Sequence, residues 1–182
     1  MTPDEHADLR SRRVAAARRA MPPVFAAAIL DAPDAADWCH RMLGGEGRNL
    51  VLTGTVGTGK THTAWACWPY LLTAGWVGTW NAITEQRFLD ASLSNGEAVA
   101  VAWAGSVDLL LLDDVGAVKA SDWSRGRLAQ LIDWRWQHRR PLIVTTNLTG
   151  DLLAVHLGER AVSRLAATAT TIRKLGTDRR LT

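Results

Sequence analysis

Residues 54–61 read Gly54-Thr55-Val56-Gly57-Thr58-Gly59-Lys60-Thr61, the pattern G-x-x-x-x-G-K-[ST]. Glycines let a backbone curl until several N–H groups point at one anion, and a following helix N-terminus adds its dipole. A lysine at the seventh place reaches β- and γ-phosphates, and a hydroxyl at the eighth ligates Mg²⁺. Gly54, Thr55, Val56, Gly57, Thr58, Gly59, Lys60 and Thr61 are therefore the predicted nucleotide-binding residues, with Thr61 also a metal ligand. The chemistry is that of ATP and Mg²⁺.

Two further groups fit the same chemistry. The apolar run Leu109-Leu110-Leu111-Leu112 ends in Asp113-Asp114. A buried strand that delivers an acid at its tip is what a phosphate-bound Mg²⁺ requires. Asp113 is assigned to the metal, and Asp114 to orienting and deprotonating the attacking water. Thr145-Thr146-Asn147 ends another apolar run. Asn147 there either hydrogen-bonds the attacking water and senses the γ-phosphate, or makes a turn or helix cap.

The elements that carry these residues follow from pattern. Strands are predicted at 48–53, 75–80, 107–112, 142–146 and 169–174. Helices are predicted at 3–20, 24–30, 34–43, 61–72, 83–93, 97–104, 122–139, 150–156 and 158–166. Thr2, Pro3 and Glu5 form a capping-box start, and Ser121 caps the helix whose Leu128, Leu131 and Ile132 keep helical spacing. Strands alternating with helices predict an α/β, three-layer P-loop fold with a parallel five-stranded sheet and helices on both faces. Ligands then sit at the carboxyl ends of strands, where the phosphate loop, Asp113 and Asn147 all fall. Gly44-Gly45-Glu46-Gly47 marks a boundary between a basic helical segment, 1–46, and the nucleotide-binding domain, 47–182.

Composition narrows the class. The chain has 182 residues, 47% of them hydrophobic, enough for one core. Net charge is +3, with 18 Arg and 3 Lys. That permits nucleic-acid binding without requiring it. The first helix carries Arg10, Arg12, Arg13, Arg18 and Arg19, so it reads as a solvated face or as an arm for a partner. No apolar run is long enough to span a membrane. A polar N-terminus argues against export, and Cys39 and Cys67, far apart in sequence, read as packed thiols of a reducing cytoplasm. The nine Trp show no repeat and read mostly as packing residues, with a base-stacking platform as the alternative.

The order phosphate loop, Leu-Leu-Asp-Asp, Thr-Thr-Asn-Leu, then Leu157-Gly158-Glu159-Arg160-Ala161-Val162-Ser163-Arg164-Leu165 resembles the DnaC/IstB family of AAA+ ATPases. The resemblance covers about 48–180 and extends loosely to 21–47. It implies an ATPase that loads a hexameric replicative helicase on single-stranded DNA, self-associating through its ATP site. An IstB-like transposition ATPase and an ATP-switched adapter with little hydrolysis are the alternatives. The resemblance places an arginine finger on Arg164, or on Arg160, and a nucleotide-sensing arginine on Arg180, or on Arg179. It implies a core with no helical lid after it. It also puts the 83–104 helices where relatives carry a single-strand-binding insertion, with Arg87, Trp103 and Phe88 as candidate contacts.

Overall fold

A computed structural model describes residues 2–94 and 97–176. In chain order the elements are α1 (Pro3–Ala20), a 3₁₀ turn (Pro23–Phe25), α2 (Pro33–Leu43), β1 (Asn49–Thr53), α3 (Lys60–Thr73) and β2 (Trp80–Thr84). Then come α4 (Glu85–Ser94), α5 (Glu97–Ser106), β3 (Leu109–Val115), α6 (Asp122–Gln137), β4 (Leu142–Thr146), α7 (Gly150–Leu157), α8 (Glu159–Ala167) and β5 (Ala169–Arg173). The five strands form one parallel sheet in the order β2-β3-β4-β1-β5.

The alternation of strand side chains sorts the helices into two layers. Leu50, Leu52, Leu109, Leu111 and Ile143 face α2 and α3, packing on Trp38, Cys39, Ala64, Cys67 and Leu71. Val51, Leu110, Leu112, Leu142 and Val144 face the other way, onto α4 to α8. A strand buried on both faces must be apolar at every position, which is why Leu109–Leu112 is an unbroken leucine run. Each fully buried leucine contributes roughly 2 kcal/mol. The predicted three-layer fold is the observed one.

The capping box at Thr2 and Glu5 forms, with Glu5 N donating to Thr2 Oγ1 at 3.3 Å and Thr2 N to Glu5 Oε2 at 2.6 Å. Ser121 accepts from Ser124 N as the cap of α6. Two expectations are corrected. The strand predicted at 75–80 starts only at Trp80. Gly75, at φ 98°, closes α3, and Gly78 lies under the Trp76 ring, where a Cβ would come within 2.3 Å. Pairing begins where Asp108 Oδ2 accepts from both Thr79 N and Thr79 Oγ1, each at 2.8 Å. The helix predicted at 24–30 is a single 3₁₀ turn. The Arg18 guanidinium takes the carbonyls of Ala26 (2.7 Å) and Ala28 (3.2 Å), which a helix would need for its own ladder. Cys39 and Cys67, distant in sequence, meet in the core, and a hydrogen bond to Cys39, then burial, raises the Cys67 thiol's pKa.

Candidate nucleotide-binding site

The phosphate loop joins β1 to α3 across the sheet's carboxyl edge. Gly57 (φ 77°) and Gly59 (φ 85°) occupy the left-handed region that side chains disfavour, and Gly59 is the N-cap of α3. Gly54 has a different constraint. A Cβ there would lie 2.2 Å from the Lys174 carbonyl oxygen, because Lys174 N donates to Thr53 O at 2.7 Å and holds the β5 exit against the loop. The Lys60 ammonium, 7% exposed, donates to Gly54 O (2.8 Å) and Thr55 O (2.7 Å), inside the curl of its own loop.

Asp113 and Asp114 sit on an irregularity in β3. Register with β4 holds through Leu112 and resumes at Val115, and Asp114 takes φ 62°. Such a bulge re-aims side chains at a strand end. Asp113 Oδ1 accepts from Thr61 Oγ1 at 3.0 Å and from Thr145 Oγ1 at 2.6 Å. Thr145 Oγ1 in turn accepts from Asp114 N at 2.8 Å. Burial raises the Asp113 pKa, the Thr145 and Thr61 hydroxyls oppose that, and the Asp114 charge adds to it. Asp114 and Asn147 are exposed to the cleft.

The loops are sewn to one another. Thr146 Oγ1 donates to Val115 O (2.7 Å) and accepts from Leu148 N (3.0 Å), while Thr53 Oγ1 donates to Leu148 O (3.1 Å). The cleft between them measures about 670 Å³. One part is polar, with Lys60, Thr61, Asp113, Asp114 and Asn147. Val24, Phe25 and His62 line another part. An anionic tail beside an apolar, aromatic-lined end suits a nucleotide. The donor set also fits Mg²⁺. A hydroxyl and a carboxylate lie within 3.0 Å, and this ion takes one or two protein oxygens and completes its shell with phosphates and water. Among the described residues no group of three or more His, Cys, Asp or Glu forms a closed metal cage.

A protein-family model described as IstB-like ATP binding protein matches residues 41–166. The chain belongs to that family. Its relatives include the replicative helicase loader DnaC of Buchnera aphidicola subsp. Baizongia pistaciae, 29% identical over 134 residues, covering 64% of this chain and 50% of the relative. DnaC of Escherichia coli K12 is 28% identical over 123 residues, covering 64% and 49%. The chain thus spans about half the length of these curated relatives. A crystal structure of the DnaC helicase loader superposes with TM-score 0.71 at 22% identity, covering 81% of this chain and 97% of that one. The DnaC/IstB-type AAA+ assignment stands, in a family of ATP-binding proteins.

In this IstB-like chain Val56, Gly57, Gly59, Lys60 and Thr61 of the 54–61 loop line one cleft with Asp113, Asp114 and Asn147, while Gly54, Thr55 and Thr58 do not line it. Arg164 and Arg160 lie elsewhere, on α8. Arg164 is 17% exposed, ion-paired with Asp133 and stacked 4.8 Å over the Trp136 ring. Arg160 is 75% exposed and lies 3.7 Å from Asp133. Arg179 and Arg180 fall outside the described residues. Arg87 and Trp103 are exposed, but Phe88 is fully buried in the core and offers no stacking face. Sequence reasoning missed Thr145, whose hydroxyl bridges the acids, and the cleft lining by Val24 and Phe25. For Phe25 a signal was present, since the family resemblance extends loosely over 21–47.

Proposed function

We propose that this chain is a Mg²⁺-dependent ATPase of the DnaC type that helps place a hexameric replicative helicase on single-stranded DNA. The observation that carries the ATPase reading is the convergence, on one cleft, of Lys60, the Thr61–Asp113 pair and Asp114. Lys60 exchanges its two loop carbonyls for phosphate oxygens. Thr61 and Asp113 would hold the metal. When bound, the metal neutralises charge building on the phosphates. Asp114 receives the proton of the attacking water, and Asn147 orients that water. Arg164, or its neighbour Arg160, reaches the nucleotide of an adjacent copy, and Arg180 senses the nucleotide within its own chain.

Loader activity is supported by the matched relatives, which are replicative helicase loaders. Within the 1–46 segment, the part offered to the helicase is α1, because α2 packs into the core beneath the sheet. Positions 4–12 of α1 are exposed on every side of the helix, which is the state of a helix awaiting a partner. The 47–182 part is the ATPase. Among the described residues no helix is long and apolar enough to cross a membrane, in keeping with a cytoplasmic site of action.

Steady-state hydrolysis with and without single-stranded DNA tests the first half. Turnover is expected, and Asp114→Asn should bind Mg·ATP yet release no phosphate. Binding without turnover in the unaltered protein would favour the ATP-switched adapter, a reading to which the short Asp114 side chain lends itself. Pull-down with a hexameric helicase against a transposase tests the second half, and capture of the transposase alone would favour the IstB-like transposition role.

A further inference from the structure

A buried carboxylate lies behind the acidic turn. Glu85 is the first residue of α4 and is 0% exposed. It does not cap its own helix, since Arg87 N donates to Thr84 Oγ1. Its two oxygens point across the molecule instead. Oε2 accepts from Gly116 N at 2.6 Å, and Oε1 pairs with His156 Nε2 at 2.6 Å. His156, 6% exposed, sits in the last turn of α7.

Gly116 lies two residues beyond Asp114 and has no freedom of its own. It takes φ 97°, and a Cβ there would lie 2.6 Å from Leu148. Leu148 follows Asn147 directly, and its N–H and C=O are bonded to Thr146 and Thr53. The turn carrying Asp114 is therefore gripped from two sides, by Leu148 in front and by the Glu85 carboxylate behind. Ala117 N closes the turn on Asp114 O at 3.1 Å.

Burying a carboxylate costs several kcal/mol, and an apolar pair of equal volume is often as stable. Packing alone does not call for Glu85 and His156. The geometry points to these two as positioning residues for hydrolysis, holding the Gly116 amide so that Asp114 keeps its φ and aims at the cleft. This rests on the reading of Asp114 as the base. Glu85 opens α4, and α7 leads through Gly158 to α8 with its two arginines. A shift of α4 thus reaches Asp114 through one hydrogen bond and two residues, and a shift of α7 through two hydrogen bonds and the same two residues.

The test is the double variant Glu85→Leu/His156→Leu in the full chain, with Glu85→Gln beside it. Thermal midpoint, fluorescent-ATP affinity, single-turnover hydrolysis and amide exchange across 113–117 are measured on each. The double variant should melt within a few degrees of the parent and bind ATP within about twofold. It should hydrolyse about tenfold or more slowly, the scale of a misplaced catalytic group. Its turn should exchange about tenfold faster, because the Gly116 amide has lost its acceptor. Glu85→Gln keeps an acceptor and should fall between. Parental hydrolysis and exchange in both variants would make the pair mere packing and overturn the inference. If the double variant unfolds, Glu85→Gln decides by the same readouts. If the parent hydrolyses nothing yet the turn loosens in the variants, the ATPase reading falls and the hold on the turn stands.

Discussion

The two ends of the sheet handle polar groups in opposite ways. At the amino end, Arg135 is 0% exposed and gives its guanidinium to five carbonyls: Ala104, Gly105, Val107, Asp108 and Pro141, at 2.6–3.2 Å. It ties the end of α5 to the starts of β3 and β4. Burial, then the Arg140 charge, draws its pKa down to about 9, while Asp108 acts the other way. At the carboxyl end, cations and acids line an open cleft. Lys60 there bonds the Gly54 and Thr55 carbonyls, which a phosphate can replace, and Asp114 and Asn147 face solvent. Arg135 gives both terminal nitrogens of its guanidinium to backbone carbonyls and is architecture. Lys60 has a similar charge in a replaceable contact and serves as a ligand site.

The largest expected effect lies outside the nucleotide cleft, at Arg164. If it completes the site of an adjacent copy, the Asp133 pair and the Trp136 contact hold it ready for that use. Arg164→Ala should then bind ATP normally and hydrolyse it about 10³-fold more slowly. Mixing it with Lys60→Ala should restore part of the activity, since some interfaces join an intact loop to an intact finger. Activity per subunit should rise with protein concentration. Strict proportionality from nanomolar to micromolar, with no rescue on mixing, would return Arg164 to a structural role. The same pair of measurements on Arg160→Ala decides between the two arginines.

What could be read from the sequence divides along the same line. The phosphate loop is contiguous, so its residue types alone name the chemistry. Asp113 and Asn147 stand at the ends of fully apolar runs, and their place at strand tips follows. The Arg135 acceptors lie mostly 27–31 residues away, and Glu85 meets His156 across 71. No local period announces such pairs. β2 was misplaced for a related reason. It is an edge strand with only Ile83 buried, so it has no hydrophobic rhythm, and its start is set by Thr79 and Asp108, 29 residues apart.

The comparison of ends sharpens with one variant at each. Arg135→Leu strands five carbonyls, several of them buried, and should cost about 3–5 kcal/mol of stability. At roughly 2–4 °C per kcal/mol for a chain of this size, the melting midpoint falls by on the order of 10 °C. ATP affinity of the folded fraction should not change. Lys60→Ala should do the reverse. Nucleotide affinity falls about a hundredfold, the value of two charge-assisted hydrogen bonds, and the melting midpoint without nucleotide stays near the parent's. If both variants lost stability and affinity together, the division into architecture and ligand site would be wrong.

The smallest effect concerns acid. Burial holds the Asp113 pKa above its ordinary 3.8. A proton and Mg²⁺ compete for this carboxylate, so the metal-dependent part of ATP binding should weaken as pH falls through the raised value. The loss therefore begins at a higher pH than a solvated aspartate would give, and it steepens towards tenfold per pH unit below the pKa. The nucleotide's terminal phosphate also titrates, at about pH 6, and contributes to any raw profile. The informative quantity is the difference between the parent and Asp113→Asn, each titrated with and without Mg²⁺ from pH 7 to acid. The parent should show an Mg²⁺-dependent acid limb that Asp113→Asn lacks, and chelating the metal should make the two profiles coincide. A limb that appears only in the ordinary aspartate range would mean that Thr61 and Thr145 offset the burial, leaving Asp113 as accessible to the metal as a surface acid.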